Sequence, residues 1–170
     1  MAVTEPYSDV LTGIATRLVN ASGPFTTAGQ IGYAAPTAEG GLDPVERLVS
    51  MTTKEGCQAA ALIADGGSDF GGKGIGDSGS NEEWRVVIHY AVRCPGGSDW
   101  KYAYTGNEGK YWGEFEVRRW LLDRLHGYSL GGTTKMHPYP VSRANSLVTQ
   151  NGMIICSLTF AMDIPHDITT

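Results

Sequence analysis

Few residues of this chain are spaced for bond-making chemistry. Gly74-Ile75-Gly76-Asp77-Ser78-Gly79 fits the GxGxxG pattern. That pattern binds a dinucleotide when its glycines join a strand to a helix whose N-terminus faces the pyrophosphate. Here the next structured segment, WRVVIHYAVR from Trp84, reads as a strand, so the glycines read as a loop. Gly72-Lys73-Gly74 lacks the Ser or Thr that follows the lysine of a phosphate loop. None of His89, His126, His137 and His166 pairs with another His or with Cys at ligand spacing, so no metal site is expected. No GxSxG elbow offers a serine nucleophile. Cys57, Cys94 and Cys156 are odd in number, widely spaced and without a CxxC pair. They read as free thiols of a protein folded in the reducing cytoplasm. Glu82, Glu83 and the aspartates before them read as solvating charge. Neither a cofactor nor enzymatic activity is expected.

Other residues suit contact rather than catalysis. Arg118 and Arg119 are adjacent on a helical segment, and arginine is enriched at protein interfaces. Trp100, Tyr102, Tyr104, Tyr111 and Trp112 crowd one short stretch. Core packing and a docking surface both explain such a group, because amphipathic aromatics concentrate at interfaces. Asp69, Lys73 and Asp77, three charged residues of a glycine-rich segment, join the interface candidates with Arg118, Arg119, Trp100, Tyr102, Tyr104 and Trp112.

The elements that must position these residues follow from periodicity. Val10, Leu11, Ile14 and Leu18 make a helical stripe over residues 8–20. Residues 21–42 read as an extended connector with a short strand near Ile31–Ala35. Asp43-Pro44 then starts a brief helix carrying Val45, Leu48 and Val49. Cys57–Ala64 has the length of a strand. Asp65–Asn81 holds seven glycines in seventeen residues and predicts a mobile loop or a long hairpin tip. In the strand Trp84–Arg93, Trp84, Val86, Ile88, Tyr90 and Val92 share a face. Trp100–Thr105 alternates like a second strand or forms an aromatic loop. A helix is predicted over 109–126, with Tyr111, Phe115, Leu121, Leu122 and Leu125 as its stripe, Gly127 as its stop and Glu114–Arg118 as an i,i+4 pair. Asn151-Gly152 marks a tight hairpin turn. A strand over Ser142–Thr149 precedes it, and Ile154 to Ile164 alternates after it until Pro165 ends the pairing. No internal repeats are present.

The 170 residues suit one domain spanning 1–170, with a mostly antiparallel α+β sheet, a long C-terminal hairpin and two packed helices. A formal charge of −5 argues against tight wrapping of nucleic acid, which needs clustered cations. The N-terminus lacks a signal-peptide pattern, and no apolar run reaches the ~20 residues that cross a bilayer, so no membrane association is expected. With 23 glycines and 41% hydrophobic residues, long loops hang on a modest core, which gains stability from neighbours.

The order of features is specific. A helix leads to CQAAALIA, then to a glycine-rich segment, WRVVIHYAVR, GEFEVRRWLLDRLHGY, a proline-bearing connector and SLVTQNGMIICSLTFAMDI. Over residues 8–165 this order resembles the tail-terminator, or tail-completion, family of long-tailed bacteriophages. The resemblance implies a structural virion protein of the tail or neck. It implies a homo-hexameric ring that caps the tail tube protein, ends its polymerisation and meets the head–tail connector or neck protein, with a tail sheath as a further partner. It also implies that DNA passes through the lumen without specific binding. An acidic bore suits that passage, because it repels phosphate. Another neck or tail-tube ring component is the alternative, and a small cytoplasmic enzyme a more distant one.

Overall fold

A computed structural model describes residues 6–34, 44–53, 58–71, 80–93, 100–107, 111–129, 137–144, 147–148 and 152–166. Helix α1 (Pro6–Leu18) is followed by strand β1 (Ile31–Tyr33), helix α2 (Pro44–Thr53) and strands β2 (Ala59–Gly71) and β3 (Ser80–Arg93). Helices α3 (Trp100–Thr105) and α4 (Glu114–Leu125) come next, then strands β4 (Tyr139–Arg143), β5 (Leu147–Val148) and β6 (Met153–His166). The sheet runs β1-β2-β3-β6-β4, with β5 also paired to β6. Every pairing is antiparallel except β1 with β2.

Alternation decides the sheet's main face. Trp84, Val86, Ile88, Tyr90 and Val92 of β3 are buried beside Ile154, Cys156, Leu158, Phe160, Met162 and Ile164 of β6. Val10, Ile14 and Leu18 of α1 cover this face together with Val117, Leu121 and Leu125 of α4. Each large side chain so buried contributes about 1.5–3 kcal/mol. Leu48 of α2 packs on the opposite face, against Ala60, Leu62, Ala91, Met153 and Ile155. The sheet is therefore helix-covered on both sides near one end, where two helices on one core were expected. Two-sided cover also explains the alanine run of β2. A strand buried on both faces reads as continuous apolar sequence instead of alternating.

Three expectations need correction, the first in part. Of the two readings of the glycine-rich segment the hairpin holds and the single loop does not, because residues 65–71 extend β2 and pair with β3, which begins at Ser80. Pairing continues past an irregularity between Asp65 and Ser68, where Gly67 takes φ +83°. Such a bulge absorbs the small residues without ending the ladder. Trp100–Thr105 is helical, not extended. Among its described side chains Ala103 is buried, and Gly106 at φ +76° stops the helix. The next helix begins at Glu114, not at 109, because Asn107 and Tyr111 exchange two backbone hydrogen bonds of 3.1 Å that close a tight loop. Its stripe is Val117, Leu121 and Leu125, while Tyr111 and Phe115 stay exposed.

Near the C-terminus the expected strand 142–149 is split between β4 and β5. Nor does Pro165 end the ladder, since it lies opposite Asn81 with β6 running on to His166. Beyond Ala161 no described strand flanks β6 on its β4 side, so the missing N–H of Pro165 costs little there.

Candidate functional site

The first site is built around a carboxylate with no exposed surface. Glu114 opens α4, and Gly113 precedes it in an extended conformation. Only glycine fits there: a Cβ on Gly113 would stand 2.1 Å from the Gly106 nitrogen. Tyr90 donates its hydroxyl to Glu114 Oε1 across 2.6 Å. Arg143 Nη2 lies 3.3 Å and Arg118 Nε 3.9 Å from the same oxygen, while Oε2 is buried without a partner. Burial, then the adjacent Glu114, pushes the Tyr90 pKa well above the ordinary tyrosine range. This network ties the central strand to α4 and to edge strand β4.

The predicted arginine pair separates. Arg118 is held at Glu114, with its guanidinium 4.9 Å from the exposed Phe115 ring. Arg119 projects into solvent, its side chain 84% exposed, beside Asp123 at 3.6 Å. The aromatic group also divides. Tyr104 packs on Phe115 with centroids 5.5 Å apart, and Trp112 packs edge-on against Trp120 at 6.1 Å. Trp120 in turn is pressed so closely against Gly23 that a Cβ there would meet its ring at 2.4 Å. Trp100 and Tyr102 lie in α3, but their side chains are outside the described residues.

The second feature is the β2–β3 arm. Glu82, expected to be solvating charge, is 3% exposed. It accepts hydrogen bonds from Tyr7 at 2.5 Å and from Ser68. Its parity with Trp84, Val86 and Ile88 was the signal that could have found it. On the opposite face Asp69, Glu83 and Asp163 fall in one cross-strand row. Arg85 reaches Asp69 at 2.9 Å and Glu83 at 3.0 Å. Lys73, Asp77 and the GxGxxG stretch lie outside the described residues, as do Cys57 and Cys94.

Two further residues had no sequence signal. Buried Gln30 accepts from the Thr26 and Thr27 amides and donates to the Pro24 and Ala59 carbonyls, fixing the connector to the start of β2. Gln58 exchanges two bonds with the Trp112 backbone, at 2.9 and 3.0 Å.

Among the described residues the surface around these features includes two sheet edges and a groove. Strand β1 forms one edge, with Tyr33 exposed, and β4 the other, with Val141 exposed. An open groove of about 770 Å³ lies between α1 and the end of α4, lined by Thr12, Thr16, Arg17, Arg124 and Tyr128 among others. Among the described residues no group of His, Cys, Asp or Glu is placed to hold a metal, and no helix is long and apolar enough to cross a membrane.

This architecture has a counterpart among solved structures. That counterpart is a chain of a virion structure. The structure is described as "Virion of native gene transfer agent (GTA) particle", and the alignment covers 96% of this chain and 99% of that one, with a TM-score of 0.53 and 12% sequence identity. The likeness is one of fold. No protein-family model and no curated protein matches the sequence.

Proposed function

We propose that this chain is a structural component of a phage-type virion, and that within it the chain acts as a tail terminator. The observation that carries the reading is the end-to-end likeness to a virion chain, which leaves almost nothing of either protein unmatched. The order of sequence features, which resembles that of the tail-terminator family, supports the finer assignment. In this reading six copies close into a ring on the last ring of the tail tube. The ring stops tube growth and presents its free face to the head connector or neck protein, with a tail sheath as a further neighbour. No bond-making step is involved.

The exposed edges at β1 and β4 suit such assembly. Open strand borders are templates for pairing, and joining them between copies removes the edge. The surplus of acidic residues suits a bore that lets DNA pass without holding it. The test is functional. Purified chain is added to tail tube protein undergoing polymerisation, and tube lengths are read by negative-stain microscopy. Capping shortens the tubes and leaves a ring at one end. Tubes of unchanged length with bare ends contradict the terminator reading, and open tubes built from this chain alone point to a tube protein instead.

A further inference from the structure

The groove between α1 and α4 is chemically one-sided. Arg17 stacks its guanidinium 3.7 Å above the Tyr128 ring and donates from Nε to the Arg124 carbonyl at 3.2 Å. Arg124 lies 4.6 Å from the Trp120 ring, and its own Nε is buried with no acceptor. Against these two cations the groove has one carboxylate, Asp9. A concave site with preset guanidinium groups and an unmet donor favours an anion.

The complementary surface is on the other side of the same molecule. Asp69, Glu83 and Asp163 form their row on the sheet face away from α1 and α4, and the Asp69 side chain is 72% exposed. Arg85 is the cation placed among them, so the row keeps a surplus of negative charge. One copy presents its groove and its acidic row in different directions. A contact between them therefore joins one copy's groove to another copy's row, which is the head-to-tail arrangement that closes rings.

We propose that the acidic row of one subunit docks in the Arg17–Arg124 groove of the next, an inference that rests on the ring reading above. The contact brings carboxylates to the Arg17 and Arg124 guanidinium groups and sets the direction in which the ring closes. Being ionic and partly exposed, it weakens as salt is raised.

The test is a charge-swap cycle on the full chain, with the associated fraction read by light scattering at fixed concentration and folding checked by circular dichroism. Asp69→Lys with Asp163→Lys reverses the row. Arg17→Glu reverses the groove. Thr16→Glu adds a carboxylate at an exposed groove position and leaves the Arg17–Tyr128 stack in place, should Arg17→Glu not fold. Each reversal alone is expected to weaken association at least tenfold, and the row reversal combined with a groove reversal to recover most of that loss. Association unchanged by the row reversal, or no recovery in the combined variant, overturns this contact while the ring reading stands. A wild-type chain that never associates overturns both.

Discussion

Tyr90 on the central strand β3 and Glu114 at the start of α4 share a proton donor–acceptor contact of 2.6 Å in which neither residue is exposed to solvent. The contact fixes the angle at which α4 leaves the sheet, and so the position of Phe115, Arg118 and Arg119 on the surface. Removing the hydroxyl in Tyr90→Phe leaves the carboxylate with arginine partners alone. Loss of a bond to a charged group costs roughly 1.5–3 kcal/mol, to be read from the shift in denaturant midpoint at neutral pH.

The same pair gives a pH dependence with a definite sign. The folded chain holds the Tyr90 proton well above the pH at which the unfolded chain releases it, about pH 10. The contribution is therefore complete below that pH and is lost as pH rises beyond it. Stability is expected to fall by up to about 1.4 kcal/mol per pH unit from this one proton. Denaturant titrations across the alkaline range should show that slope reduced by one proton's worth in Tyr90→Phe. An identical slope in both proteins would assign the alkaline loss to other tyrosines.

Arg118 and Arg119 are adjacent in sequence but do different work. Arg118→Glu sets a second carboxylate beside buried Glu114 and should cost about 1–3 kcal/mol of stability. Arg119→Glu breaks only an exposed pair with Asp123, so its melting temperature should match wild type within the ~0.5 kcal/mol range of surface substitutions. Arg119→Glu is thus the cleaner probe of assembly. Under the proposed function it lowers the ring fraction without altering the fold.

Gly113→Ala tests the joint between α3 and α4. The added carbon meets the backbone of Gly106 and of Tyr104 at 2.1 and 2.5 Å, and backbone cannot rotate aside as a side chain can. The expected cost is about 1–3 kcal/mol, the range of overpacked positions, with a lower thermal midpoint as the readout. A neutral result would mean that α4 can start elsewhere.

Shortening the glycine-rich segment is not harmless throughout. Residues 65–71 are strand, Asp65 accepts from the Trp84 indole at 3.0 Å, and Glu82 anchors Tyr7 and Ser68. Glu82→Ala should cost about 1–3 kcal/mol by removing the buried charged acceptor that holds the Tyr7 and Ser68 hydroxyls, measured by chemical unfolding. Stability equal to wild type would show that the arm is not secured at this point.

Strict alternation made β3 and β6 legible, because period two survives burial on one face. The β2 run was legible in position, yet its length was not: glycine content argues for a loop, whereas cross-strand pairing with β3 carries the chain six residues past Asp65. The helical state of Trp100–Thr105 was hidden, since six residues hold too little periodicity to outweigh aromatic alternation. Of the site, the arginines and the Glu114–Arg118 spacing were readable. The burial of Glu114 and its tie to Arg143 were not, because they depend on which face of α4 meets the sheet. Gln30 and Gln58 act through backbone partners and leave no pattern in side-chain types.

Closure by self-association shows itself in particle mass together with particle shape. Sedimentation equilibrium of the full chain across a concentration series, joined to negative-stain images of the same samples, should give a species of six monomer masses seen as closed rings with an open centre. A species that keeps the monomer mass at every concentration, with no annular particles in the images, would mean that the chain does not close into rings.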